Sequence, residues 1–206
     1  MIEKILVERK GSKEQQTMIK QVRTSAKTIA VIAVFAALTI ALNLSPIKIP
    51  APYAPYLIYQ AWEIPIVAAF LLYGFLAGIA IAVLNTLVLL MVYPGMLLTG
   101  PLYNLAAVIS MLIGISIQKI IHKNLQANRQ ILAAVLTAFG IVFRVGIMTV
   151  VNWAFLRYPP PVGFGMPEPA IIMSLPFIAV FNATLALYTI PLGYVIAEAI
   201  KLHIKF

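Results

Sequence analysis

Long uncharged apolar stretches set the pattern of this sequence. No charged residue occurs from Thr28 to Ile47 or from Ile64 to Gln118. A third stretch, Ile131 to Phe155, is interrupted only by Arg144, and a fourth runs from Ile171 to Ile200 with a single charge at Glu198. A helix that satisfies its own backbone hydrogen bonds across a hydrocarbon layer needs about 20 mainly apolar residues. The stretch from Ile64 is too long for one helix and has two natural breaks, Tyr73-Gly74 and Tyr93-Pro94-Gly95. The pattern therefore predicts an all-α membrane protein with six transmembrane helices, near residues 28 to 44, 61 to 73, 75 to 93, 102 to 119, 131 to 156 and 171 to 200. The second of these is short.

The charges give this bundle a direction. The chain has 206 residues, 62% hydrophobic and 10% charged, with a net charge of +9. Soluble chains carry roughly 25% charged residues, so an ordinary soluble domain is excluded. The basic residues precede the first helix (Lys4, Arg9, Lys10, Lys13, Lys20, Arg23, Lys27), separate the fourth from the fifth (Lys119, Lys123, Arg129) or follow the sixth (Lys201, Lys205). In a six-span chain these segments share one side, and the positive-inside rule makes both termini cytoplasmic. The basic excess thus describes orientation and interaction with anionic lipid headgroups, not nucleic acid. The exceptions are Lys48, Arg144 and Arg157. Residues 1–27 read as a basic cytoplasmic segment, too polar for a cleavable signal, and residues 28–206 as the membrane domain.

On the opposite side the loops are rich in proline and aromatics, as in the run Ser45 to Tyr56 and the run Tyr158 to Phe164. Proline fixes φ, so these loops are expected to be ordered caps. Polar side chains within the spans include Glu63, Asn85, Asn104, Arg144, Asn152, Asn182 and Thr184, with Trp153 beside Asn152. Such groups face a bundle interior or a cavity. Glu63, Asn104, Asn152 and Asn182 fall at similar depth, where they suit one uncharged polar molecule, since an amide offers both donor and acceptor. Interhelical hydrogen bonding is the alternative for any single Asn. Arg144 has two readings: a buried structural partner such as Asn85 or a helix-end carbonyl, or an anionic ligand group.

Catalysis and metal binding find no support. The chain has no cysteine, and His122 and His203 lie among basic residues outside the spans. No P-loop, GxSxG or HExxH motif occurs, and no internal repeat of the kind that builds a self-contained carrier is evident. On the first helix, Ala30, Ala33, Ala37 and Ala41 form a smooth face that permits close helix approach. A substrate-binding membrane subunit powered by other proteins, or an assembly protein without a small ligand, fits these features.

Several segments in order carry a resemblance. They are the Ala-rich first helix; Ile49-Pro50-Ala51-Pro52-Tyr53-Ala54-Pro55-Tyr56-Leu57; Glu63-Ile64-Pro65 ahead of Gly74-Phe75-Leu76-Ala77-Gly78; Gly100-Pro101-Leu102-Tyr103-Asn104; Asn152-Trp153; and Phe181-Asn182. Over about residues 28 to 200 the chain resembles the substrate-binding S components of energy-coupling factor (ECF) vitamin transporters, and within them the riboflavin branch. The resemblance implies a vitamin-binding pocket open to the outside and covered by the loop between helices 1 and 2. Asn152 and Asn182 match positions whose amides contact the ligand. Glu63, Asn104, Tyr56, Trp153, Arg144 and Lys48 are further candidates from their own chemistry and placement, and Arg144 has no counterpart in the family. The resemblance also implies that Ala33 and Ala37 dock onto a transmembrane T component driven by two ATP-binding subunits, and that the S component itself holds no cofactor. Leu185 stands where the riboflavin branch often has Lys, so thiamine, biotin and pantothenate remain alternative vitamins.

Overall fold

The computed structural model describes residues 26, 28–93, 99–121 and 128–203. Contacts divide the chain into Met1–Val34 and Phe35–Phe206. The first unit is helical from residue 28 and contributes the start of α1 (Thr28–Leu44), which continues into the second. The expected basic segment 1–27, the break at Pro94-Gly95 and His122 lie outside the described residues, apart from Ala26.

The second unit holds α2 (Glu63–Tyr73), α3 (Phe75–Val92), α4 (Thr99–Ile121), α5 (Arg129–Phe155) and α6 (Glu168–His203). Helix packs on helix in the order α2, α3, α4, α5, α6 and back to α2, which closes a five-helix ring. Among the described residues, α3 to α6 are long and apolar enough to cross a membrane by length and composition. The eleven residues of α2 reach only ~16 Å at ~1.5 Å per residue, about half of a ~30 Å hydrocarbon layer.

Local chemistry accounts for the helix ends. Gly74 separates α2 from α3 at φ 91°, ψ −177°, a region that only glycine occupies without strain. Asn128 caps α5 by accepting from the Gln130 amide at 3.4 Å, as short polar side chains do at helix starts. α6 begins earlier than hydropathy predicts because Glu168-Pro169 suits a first turn, where a negative charge is favoured and no proline N–H is missed. It also continues through Pro176 and Pro191.

One element departs from the all-helical expectation. The proline-rich segment after α1 is a β-hairpin, β1 (Ile49–Ala51) antiparallel to β2 (Ala54–Tyr59), with an irregularity between Pro50 and Ala51. Two hydrogen bonds join this segment to α6, and a third ties the hairpin internally. Tyr53 and Tyr59 share a 2.6 Å hydrogen bond, Tyr59 and Thr184 share another of 2.6 Å, and Tyr188 donates to the Gln60 carbonyl at 2.7 Å. Rings add to this contact, Tyr53 stacking on Phe177 and Tyr59 packing against Phe181.

Candidate functional site

At the hairpin end of the ring lies a cavity of about 490 Å³, within the range of small-molecule sites. Its wall follows the helical repeat. α4 supplies Gly100, Tyr103, Asn104 and Ala107; α5 supplies Arg144, Met148 and Asn152; α6 supplies Ser174, Ile178, Phe181 and Asn182. Residues three and four apart share a helix face, so each helix turns one continuous stripe inward. Tyr56 and Leu57 of β2 and Leu156, Phe164 and Met166 from the end of α5 and the loop after it complete the lining.

That loop is held by backbone bonds back onto α5. Phe164 and Met166 amides donate to the Leu156 carbonyl at 3.2 and 3.1 Å, and Gly165, at φ 63°, donates to Tyr158 at 2.8 Å. Leu156, Ile171 and Ile178 form a buried cluster there, against which Leu57, Tyr103 and Met166 pack.

Arg144 marks the deep end. Arg144, Ala107 and Asn182 are the lining residues of α5, α4 and α6 farthest along each helix from the end that carries the 156–166 loop. Arg144 is 2% exposed and Glu63 1%, and they form a bidentate ion pair across the ring, with Nη2 donating to Oε1 at 2.9 Å and Nη1 to Oε2. Nε donates to Oδ1 of Asn182 at 2.9 Å, and Nη1 also approaches the Met111 sulfur at 3.7 Å. Four helices thus meet at one guanidinium. Two charges taken from water cost several kcal/mol each, about what close pairing and added hydrogen bonds return. This arrangement therefore specifies geometry more than it adds stability.

Comparison with known proteins bears on the fold. No protein-family model matches the chain and no curated protein matches it in sequence. A solved S component of a bacterial ECF transporter superposes with a TM-score of 0.69 at 20% identity, covering 88% of this chain and 99% of that one. The chain has the S-component fold.

Within that fold the candidate residues divide. Tyr56, Asn104, Arg144, Asn152 and Asn182 come together around the cavity, and Glu63 stands behind its wall holding Arg144. Trp153 and Lys48 do not line it. Trp153 is exposed, and Arg157 folds onto it, 4.9 Å from the ring centroid; Lys48 is exposed just before β1. The partner expected for Arg144 is also corrected. Asn85 bonds Asn43 at 3.2 Å, while the guanidinium takes Glu63 and Asn182. Both Asn152 and Asn182 donate to the carbonyl four residues earlier, at 2.7 and 2.9 Å, which fixes each amide on the cavity side of its helix. On α1, Ala33 and Ala37 are exposed, as are Ala30 and Ala41.

Sequence reasoning did not single out several lining residues, among them Tyr103, Phe164 and Phe181 and also Met148, Ser174 and Ile178. The signal was present as spacing: Met148 is midway between Arg144 and Asn152, and Ser174 and Ile178 precede Asn182 by two turns and one.

Proposed function

We propose that this chain is the substrate-binding subunit of an ECF-type transporter that takes up a vitamin, riboflavin or a similar aromatic molecule with polar substituents. The observation that carries this reading is a cavity in an S-component fold whose wall combines aromatic rings (Tyr56, Tyr103, Phe164, Phe181) with three amides (Asn104, Asn152, Asn182). Rings supply apolar contact with a flat heterocycle, and amides pair with its hydroxyls and ring carbonyls. In this reading six helices span the membrane with both termini cytoplasmic, and the hairpin covers the cavity from outside. Ala33 and Ala37 form the face that meets a T component, whose two ATPase partners supply the energy.

Ligand-induced thermal shift of the purified chain against the B vitamins tests this, because a ligand that binds the native state raises its apparent stability. Riboflavin is expected to give a saturable rise in Tm. Saturation by a different vitamin alone would retain the transporter subunit and discard riboflavin. No response to any vitamin would discard the reading.

A further inference from the structure

Arg144 is the single charged residue among those lining the cavity, and its charge is already matched. A guanidinium has five N–H donors. Nε uses its proton on Asn182, Nη1 serves Glu63 and the Met111 sulfur, and Nη2 serves the second Glu63 oxygen. These four contacts engage four of the five N–H groups, which leaves the fifth, on Nη2, for an acceptor brought into the cavity that Arg144 lines. In a group that is 2% exposed, a donor left without a partner costs free energy that a ligand acceptor recovers.

The charge balance decides what that acceptor is. Glu63 and Arg144 sum to zero, and both carboxylate oxygens of Glu63 already sit on the guanidinium. A second carboxylate or a phosphate brought to the same place would leave a buried net negative charge, or force Glu63 to take up a proton. Either route is expensive at low dielectric. A cationic ligand finds no free carboxylate in the wall. An uncharged carbonyl, of an amide, imide or ring lactam, takes the spare proton with neither penalty.

We infer that the Glu63–Arg144 pair is a specificity floor, which donates one hydrogen bond to an uncharged carbonyl-type acceptor and rejects an anion at that position. This rests on the vitamin-binding reading above and narrows its substrate class. Rejection comes from Glu63 occupying the guanidinium, a repulsive element built against the wrong ligand. Glu63 and Asn182 are positioning residues for this donor, one neutralising it and the other orienting it.

The test is calorimetric titration of the full-length purified chain with matched uncharged and anionic probes: nicotinamide and nicotinate, pantothenol and pantothenate, biotin amide and biotin, riboflavin and riboflavin 5′-phosphate. For each pair that binds, the uncharged member is expected to bind more tightly by about tenfold or more, equivalent to ~1.4 kcal/mol. Glu63→Gln, which frees the guanidinium charge while keeping a hydrogen-bond acceptor, is expected to shrink or reverse that ratio. Equal or tighter binding of the anionic member to the wild type overturns the specificity floor and leaves a vitamin-binding chain. A ratio unchanged in Glu63→Gln overturns it as well. Binding of no probe overturns the vitamin reading and the floor together. Should Glu63→Gln not fold, the wild-type ratios still decide.

Discussion

The two ends of the helix ring are built on opposite principles, and the difference lies in side-chain size. Toward the end away from the hairpin, glycines let helices touch. A Cβ on Gly193 would stand 2.7 Å from a Val67 methyl, and one on Gly114 would stand 2.5 Å from the Phe139 carbonyl oxygen. Ile115, Ile190 and Ala197 are fully buried there. Toward the hairpin, aromatic rings, methionines and amides at the corresponding turns hold α4, α5 and α6 around open space. Arg144 marks the change, since Gly140, one turn below it, packs against Ile190. The ring is tightly packed on one side of the guanidinium and hollow on the other.

Breaking the boundary itself has the largest expected effect. Glu63→Ala leaves a buried guanidinium uncompensated and is expected to cost about 3–5 kcal/mol, read as loss of folded protein or a large drop in Tm. Replacing both partners with neutral residues, Glu63→Leu with Arg144→Met, should recover much of this in a double-mutant cycle. Purely additive losses would mean that Glu63 and Arg144 do not act as a coupled pair.

Overpacking the closed end comes next. Gly193→Leu is expected to destabilise by about 1–3 kcal/mol while leaving the affinity of surviving folded protein for its vitamin unchanged. A matching fall in affinity would show that the two ends are not independent. The converse change, Asn152→Ala at the hollow end, should weaken binding by about 1–3 kcal/mol with a smaller effect on Tm. Unchanged affinity would return Asn152 to a structural role.

The smallest effect is expected at the hairpin. Tyr59→Phe removes the hydroxyl that joins Tyr53 to Thr184 and should cost about 0.5–1.5 kcal/mol, read as faster hydrogen exchange in 49–59 with α4 unaffected. Burial, and after it the hydrogen bond shared with Tyr59, push the Tyr53 phenol above its ordinary value. Because the folded value is the higher one, this contribution is complete below the usual tyrosine range and is lost as pH rises through it and beyond. Hairpin protection that is insensitive to alkaline pH would separate Tyr53 from the latch.

These contrasts also mark what the sequence made legible. Helix positions and the turn at Gly74 follow from hydropathy and backbone sterics, which are local. Asn104, Asn152, Asn182 and Tyr56 were identifiable because polar and aromatic groups beside apolar runs are conspicuous. The Glu63–Arg144 pair was not, since its members lie 81 positions apart and only the closure of the ring brings α2 opposite α5. Depth suggested Asn85 or a helix-end carbonyl instead, but Asn85 accepts from Asn43. The hairpin was hidden by its prolines, which argue against strands except at edges and irregular positions, and Pro50 occupies such a place. Trp153 was misleading because its neighbour Asn152 faces the cavity, while a residue one position on points about 100° away around the helix.

The most direct measurement of whether the hollow end is a binding site is vitamin titration of the wild type beside Ala107→Trp, which fills the cavity from its α4 wall. One-to-one saturable stabilisation of the wild type by a single uncharged B vitamin, abolished in Ala107→Trp, is the predicted result. Equal stabilisation of both proteins, or of neither, would contradict it.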